Sequence, residues 1–99
     1  MAETEFQRMV YEKTKRVPMG RVSTYQAIAR AIGNPRAYRA VGNALNKNPT
    51  VEVPCHRVVR SDMRIGGFAK GQSLKKKLLE MEGVKIENDK VKKEHLFIG

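Results

Sequence analysis

The chain has only one cysteine and two histidines among its 99 residues. One cysteine cannot form a disulfide within the chain, and two histidines far apart do not make a zinc-binding pattern. No apolar run approaches the roughly 20 residues that a membrane-spanning helix needs, and the acidic start lacks the apolar segment of a secretory signal. These absences predict a soluble cytoplasmic protein without a metal, in a reducing compartment.

Acidic residues are also scarce: 10 Asp and Glu stand against 20 Lys and Arg, which gives a formal net charge of +10. So strong a positive charge in a short chain indicates a polyanionic partner, most often nucleic acid. The basic residues are spread over several segments rather than along one amphipathic helix, so a membrane surface is the weaker alternative. The length is enough for one small domain with a modest core.

The spacing of apolar residues predicts helices over residues 4–16 and 73–82. Short extended segments at residues 51–53 and 58–59 bracket a corner at Pro54-Cys55, and a small hairpin is expected between residues 84 and 99. The lysines of the 73–82 helix are expected to face outward. The side chains expected to face inward are Phe6, Met9 and Val10 in the first helix and Leu74, Leu78 and Met81 in the other.

Two further helices are predicted in the middle of the chain. Ser23 and Gln26 fit a capping box that opens a short helix, which Gly33 would end. Asn34 as N-cap and Pro35 at the first position would then open a helix over residues 35–46. Its inward face would carry Ala37, Val41, Ala44 and Leu45.

The second of these two helices carries a polar and cationic stripe, formed by Arg36, Arg39, Ala40, Asn43 and Lys47 at helical spacing. Two short helices joined by a tight turn, the second with such a stripe, indicate a helix-turn-helix, which places its second helix against DNA. An ordinary helical hairpin with a solvated face is the alternative. Small residues within this surface, Ala40 and Gly42, favour close approach to a partner, because glycine inside a helix costs ~1 kcal/mol relative to alanine.

The single cysteine lies in the sequence Pro54-Cys55-His56-Arg57-Val58. A thiol reacts as the thiolate, and cationic neighbours favour that form. A lone cysteine is otherwise most often a small buried hydrophobe, so the pattern alone leaves both roles open. The glycine-rich segment 66–71 has neither the spacing nor the ending of a phosphate-binding P-loop.

Three stretches of the chain, together with the segment Leu78–Gly83, resemble the O6-alkylguanine-DNA alkyltransferases. They are Val22–Ala29, Asn34–Gly42 and Pro54–Val59, and the resemblance covers roughly residues 4–83. It implies a mainly α fold with a small β element, a winged helix-turn-helix-like DNA-binding domain. The amino-terminal domain of many members is missing, so we expect a single DNA-binding and catalytic domain over residues 1–99, acting as a monomer.

The family chemistry implied by this resemblance is a single, irreversible transfer of an alkyl group from guanine O6 to the cysteine, without cofactor or metal. Cys55 would be the nucleophile and Glu82 would orient His56. Because successive side chains of an extended segment point to opposite faces, direct contact between Cys55 and His56 is not expected. The resemblance implies a water that bridges the two side chains. Arg57 is expected to hold the local fold through backbone carbonyls.

The resemblance also implies binding to double-stranded DNA and rotation of the damaged nucleotide out of the helix. Arg39 would fill the vacated space, and Tyr25 would crowd the 3′ phosphate. The small residues would lie against the minor groove. The expected DNA-binding residues are Tyr25, Arg36, Arg39, Ala40, Gly42 and Asn43, and the expected base-pocket residues are Asn48, Val53, Pro54, Phe68, Ala69 and Lys70.

Two alternatives to the enzyme stay open at the level of sequence. The chain is similar in size to the alkyltransferase-like proteins, which usually carry tryptophan where this chain has Cys55, bind alkylated guanine without reacting and hand it to other repair proteins. A helix-turn-helix transcription regulator would explain the stripe but not the cysteine motif. The intact Cys55, His56 and Glu82 favour the enzyme.

Overall fold

Four α-helices and two small sheets make up the computed structural model, which describes residues 3–48, 52–67 and 71–97. The predicted mainly α fold with a small β element is confirmed. The helices are α1 (Glu5–Lys15), α2 (Tyr25–Ala31), α3 (Tyr38–Asn46) and α4 (Gln72–Met81). The strands are β1 (Ser23–Thr24), β2 (Val58–Val59), β3 (Ile86–Glu87) and β4 (Lys90–Val91), and single 3₁₀ turns cover Cys55–Arg57 and Lys93–His95.

Helix α1 begins at a reciprocal cap, which explains why its predicted bounds are nearly correct. The Gln7 N–H donates to Thr4 Oγ1 at 3.1 Å, and the Thr4 N–H donates to Gln7 Oε1 at 2.9 Å. Val10 is fully buried as predicted, whereas Met9 is only half-buried. Tyr11 is also buried, and its hydroxyl donates to the Ala44 carbonyl of α3 at 2.7 Å, which ties the two helices together.

The caps of α2 and α3 differ from the predicted ones. Thr24 rather than Ser23 caps α2, because Ser23 lies in β1 and the Ala27 N–H donates to Thr24 Oγ1 at 3.0 Å. Gly33 follows α2 with a φ of +83°, a conformation that suits glycine. Helix α3 begins only at Tyr38 and has no side-chain cap.

The late start of α3 overturns the predicted roles of Asn34 and Pro35. The Ala37 N–H donates to the Asn34 carbonyl at 3.0 Å, so these residues form a turn between the helices rather than the first turn of α3. The chain needs this turn to reverse between α2 and α3. Val41, Ala44 and Leu45 are buried as predicted, and Ala37 packs at the edge of the core.

The strands join the Cys55–Arg57 turn to the rest of the fold. β1 pairs in parallel with β2, with Ser23 opposite Val58 and Thr24 opposite Val59. β3 and β4 form the hairpin expected in the tail, around Asn88 and Asp89, which both have positive φ. The tail then returns to β1, where Val22 donates to the His95 carbonyl at 2.9 Å and accepts from the Phe97 N–H at 2.7 Å.

Helix α4 presents a different face to the core from the one predicted. Lys75 and Leu79 are fully buried, whereas Leu74 is 38% and Met81 is 74% exposed. Lys75 lies inside because backbone carbonyls and a tyrosine hydroxyl surround its ammonium group, as described below. The expectation that every lysine of this helix faces outward is therefore wrong for Lys75.

Among the residues described, no helix is long and apolar enough to cross a membrane.

Candidate functional site

Cys55 is the first residue of a 3₁₀ turn, where the sequence pattern predicts an extended corner. The Cys55 N–H donates to the Val53 carbonyl at 2.8 Å, and the Arg57 N–H donates to the Pro54 carbonyl at 2.9 Å. The alternation of side chains along a strand therefore does not apply to Cys55 and His56. The thiol is half-buried at the edge of the core formed by α1, α2 and α3.

The Cys55 sulfur lies against the end of α3. The Asn48 side-chain amide donates to Sγ at 2.9 Å and also to the Val53 carbonyl at 3.1 Å, which fixes its orientation. The thiol in turn lies 3.5 Å from the Leu45 carbonyl, which accepts from it. A hydrogen-bond donor aimed at sulfur stabilises negative charge there, so Asn48 favours the thiolate.

Glu82 follows the last turn of α4 and brings His56 and Arg57 together. Its Oε2 lies 2.9 Å from His56 Nε2, and Arg57 donates to both carboxylate oxygens, at 2.9 and 2.7 Å. The three side chains are only 13–15% exposed. Arg57 also donates to the Val17 carbonyl at 3.0 Å, in agreement with its expected role, although its pairing with Glu82 is absent from the sequence prediction.

Charge and hydrogen bonding together keep Glu82 ionised. Burial raises its pKa, but the hydrogen bonds and charges of Arg57 and His56 outweigh burial and hold the pKa of Glu82 below its usual value. A carboxylate that accepts from Nε2–H leaves Nδ1 of His56 as the basic ring nitrogen. Glu82 thus fixes the orientation of the His56 ring.

Lys75 is the residue that the sequence prediction misses. Its Nζ donates to the Val58 carbonyl at 2.7 Å, to the Gly67 carbonyl at 3.1 Å and to the Tyr25 hydroxyl at 3.2 Å. The ammonium also lies 5.5 Å from the centre of the Tyr25 ring. The sequence feature that indicates burial of Lys75 is its position four residues before Leu79, on the same face of α4. One lysine thus joins α4 to α2 and to the strand that follows Cys55.

Burial lowers the pKa of Lys75 to about 8, although the neighbouring Cys55 acts in the opposite direction. Burial also raises the pKa of Tyr25. The unfolded chain therefore binds more protons at Lys75 than the folded chain does between about pH 8 and 10.5, so stability rises with pH across this window.

Between about pH 7 and pH 9.5, we expect the free energy of unfolding of the wild-type protein to rise by about 2 kcal/mol more than that of Lys75→Met. Urea denaturation of both proteins at several pH values measures this difference, and the range stops short of tyrosine ionisation. Lys77→Met, at an exposed position of the same helix, is the control and should retain the rise. An equal rise in Lys75→Met would contradict the effect of burial.

The expected DNA-facing stripe is exposed along its whole length, but Arg36 lies in the turn before α3 rather than on the helix. Gly42 is half-buried beneath Tyr25. A methyl group at Gly42 would lie 3.9 Å from the tyrosine ring, an ordinary contact, so packing within the chain does not itself require glycine. The exposed members of the stripe are Arg36, Arg39, Ala40, Asn43 and Lys47.

The expected base pocket is described only in part. Val53 and Pro54 are buried next to Cys55, and Asn48 contacts the sulfur. Phe68, Ala69 and Lys70 lie outside the described residues, so their roles stay predictions. Within residues 3–48, 52–67 and 71–97, no three His, Cys, Asp or Glu side chains are grouped to hold a metal ion.

Comparison with known proteins places the chain in a defined class. Residues 5–84 match the family model described as the DNA binding domain of 6-O-methylguanine DNA methyltransferase. The methylated-DNA–protein-cysteine methyltransferase of Methanosarcina acetivorans is 48% identical over 81 residues, which are 81% of this chain and 52% of that protein. That of Sulfolobus acidocaldarius is 47% identical over 83 residues, 83% of this chain and 52% of the relative.

Solved structures agree with the sequence matches. S. pombe Atl1, in complex with damaged DNA containing O6-carboxymethylguanine, has a TM-score of 0.86 and 35% identity, and the match covers all of both chains. Mycobacterium tuberculosis OGT in complex with DNA has a TM-score of 0.79 and 40% identity over 83% of this chain and 51% of that one. The fold and the sequence matches thus define a DNA-binding domain of the DNA methyltransferase type.

The chain belongs to the 6-O-methylguanine DNA methyltransferase family. It spans about half the length of the curated relatives that it matches.

Proposed function

We propose that this chain repairs O6-alkylguanine in double-stranded DNA by transferring the alkyl group to Cys55. The observation that carries the proposal is a half-buried sulfur that accepts from Asn48, in the same turn as a histidine held by an ionised glutamate. Relatives named methylated-DNA–protein-cysteine methyltransferase, and neighbours solved with DNA, support DNA containing alkylated guanine as the substrate.

In the proposed step, His56 accepts the Cys55 proton through an intervening water and Glu82 stabilises the imidazolium. The thiolate attacks the alkyl carbon, so that the S–C bond forms while the C–O6 bond breaks. The electron pair of that bond returns to the guanine, which takes up a proton. The product thioether has no easy leaving group, so each molecule would react once, without a cofactor.

The target atom lies inside the duplex, so the reaction requires the nucleotide to rotate out of the base stack. Arg39 is exposed on α3, where it could enter the vacated space, and Tyr25 is oriented by Lys75. Tyr25, Arg36, Ala40, Gly42 and Asn43 complete the proposed DNA contacts. The base would be held by Asn48, Val53, Pro54, Phe68, Ala69 and Lys70. We also propose that the chain is a monomeric, cytoplasmic domain.

Intact-protein mass spectrometry tests the reaction directly. After incubation with duplex DNA that contains O6-methylguanine, we expect the protein to gain one methyl group, located on Cys55 by peptide mapping. Cys55→Ser should bind the damaged duplex but gain no mass, and a duplex with unmodified guanine should leave the wild-type mass unchanged. Methylation of another residue, or an unchanged mass for saturated wild-type protein, would refute the proposal.

A second candidate is a protein that binds O6-alkylguanine without reacting and recruits other repair proteins. The structural match to S. pombe Atl1, which covers the whole of both chains, favours this candidate. The same experiment separates the two functions, because this candidate requires tight, lesion-dependent binding with no change in protein mass. The sulfur environment favours the enzyme, since binding alone requires no thiol at residue 55.

A further inference from the structure

A cavity of about 550 Å³ opens between α1, α2, the turn at residues 61–63 and the C-terminal tail. Its volume lies within the range typical of pockets that bind small ligands, about 300–1,000 Å³. Cys55, His56 and Glu82 do not line it, and its tail side lies beyond the region that the family model matches. The cavity is therefore separate from the proposed alkyl-transfer site.

Four cationic side chains surround this cavity, which we call the basic pocket. Among the described residues, no aspartate or glutamate lines it. In the part of the chain that the structure describes, none of the four has a carboxylate partner, whereas nearby in sequence Arg8 pairs with Glu5 and Glu12, and Lys92 pairs with Glu87. The four cations are Lys13 and Arg16 of α1, Arg30 of α2 and Lys93 of the tail.

The lining between these cations is largely apolar. Val17 and Met63 are buried at its base, and Leu96 and Phe97 are half-buried along the tail. An apolar side chain that entered would displace water from these surfaces, and negative charges beside it would neutralise the cations. The pocket is thus complementary to an apolar group flanked by anions.

We propose that the basic pocket binds a short acidic segment of a partner protein through one apolar anchor side chain. Duplex DNA is the poorer fit, because it presents phosphates along a convex surface and has no side chain to fill an apolar recess. The exposed stripe along α3 has the geometry suited to a duplex. Binding at the basic pocket does not depend on alkyl transfer, so a result that refutes one proposal does not refute the other.

Fluorescence anisotropy with a labelled synthetic peptide tests the proposal. The probe is a fluorescein-labelled peptide with one central phenylalanine between runs of aspartate and glutamate. We expect a Kd of about 10–100 µM for the full chain. The double variant Arg30→Glu/Lys93→Glu should weaken binding at least about tenfold, and Ala31→Trp should weaken it by filling the exposed mouth of the pocket without changing the charge.

Matched controls separate the basic pocket from general attraction to a basic protein. Lys77→Glu/Lys85→Glu changes the net charge by the same amount as the double variant, at two exposed positions outside the cavity lining, and should leave the Kd nearly unchanged. A probe with serine in place of phenylalanine should bind much more weakly. Equal binding of the serine probe, or an unchanged Kd in the double variant, would overturn the proposal. So would displacement of the probe by an oligonucleotide whose own affinity depends on Arg30 and Lys93, because the pocket would then be a DNA site.

Discussion

Glu82→Gln should lower the rate of alkyl transfer to Cys55 by about 10²-fold or more. Glutamine has the size of glutamate but only one side-chain oxygen that accepts hydrogen bonds. The carboxylate has two, and together they accept from His56 and Arg57. The variant leaves His56 without its anionic partner, so a proton on the imidazole is no longer stabilised. Single-turnover measurement of methyl transfer from O6-methylguanine duplex, at saturating protein, gives the rate free of binding effects.

Loss of the same carboxylate should also reduce stability. Arg57 would keep its charge in a site only 15% exposed, and removing one partner of a buried pair costs about 3–5 kcal/mol. The pKa of Glu82 lies below its usual 4.5, so its contribution is present above that pH and is lost as the pH falls through the lowered pKa. The stability difference between wild type and Glu82→Gln should therefore shrink in acid.

Glu80→Gln is the matched control, because Glu80 is exposed on the same helix and has no ion pair among the described residues. It should change neither the transfer rate nor the stability appreciably. A Glu82→Gln protein that is less stable but transfers methyl at the wild-type rate would show that Glu82 holds the fold without orienting His56. That result would remove the base from the proposed step.

Features that depend on residues close together in the sequence are predicted well. The apolar spacing and flanking residues place α1 within one residue of its observed ends, and the residues around Asn88 form the expected hairpin turn. The pairing of Glu82 with His56 follows from the family resemblance, and the structure brings these side chains within hydrogen-bond distance. The helix and the hairpin turn depend on residues close together in the sequence, and the Glu82–His56 pair depends on a motif shared by the family.

The errors concern one lysine whose environment is set by distant parts of the chain and two segments that form local turns. Lys75 is buried because carbonyls of β2 and of the following loop converge on it, and the run of three lysines gives no sign of this. Helix α3 starts late because the chain uses Asn34 to turn away from α2. Cys55 begins a 3₁₀ turn in which the Arg57 N–H donates to the Pro54 carbonyl, while the Cys55 N–H donates to the Val53 carbonyl. Propensity alone reveals neither these turns nor the tertiary partners of Lys75.

Asn48 shows how such a distant contact bears on the chemistry, and Asn48→Asp should slow alkyl transfer at least about 10²-fold. Aspartate has the shape of asparagine but replaces the N–H donor, 2.9 Å from the Cys55 sulfur, with a negative charge. Two anions at that distance repel strongly even in a partly screened site, so the thiolate would be disfavoured. The effect should appear first in the thiol itself, as slower labelling by iodoacetamide in the absence of DNA.

Asn46→Asp provides the comparison, since it adds the same charge at the exposed end of α3. It should weaken DNA binding slightly through general electrostatics and leave labelling of Cys55 unchanged. If both variants slow labelling equally, the effect is the overall charge and not the hydrogen bond to sulfur. If Asn48→Asp slows methyl transfer but not labelling, Asn48 acts on the bound base, and the thiolate must be stabilised by another group.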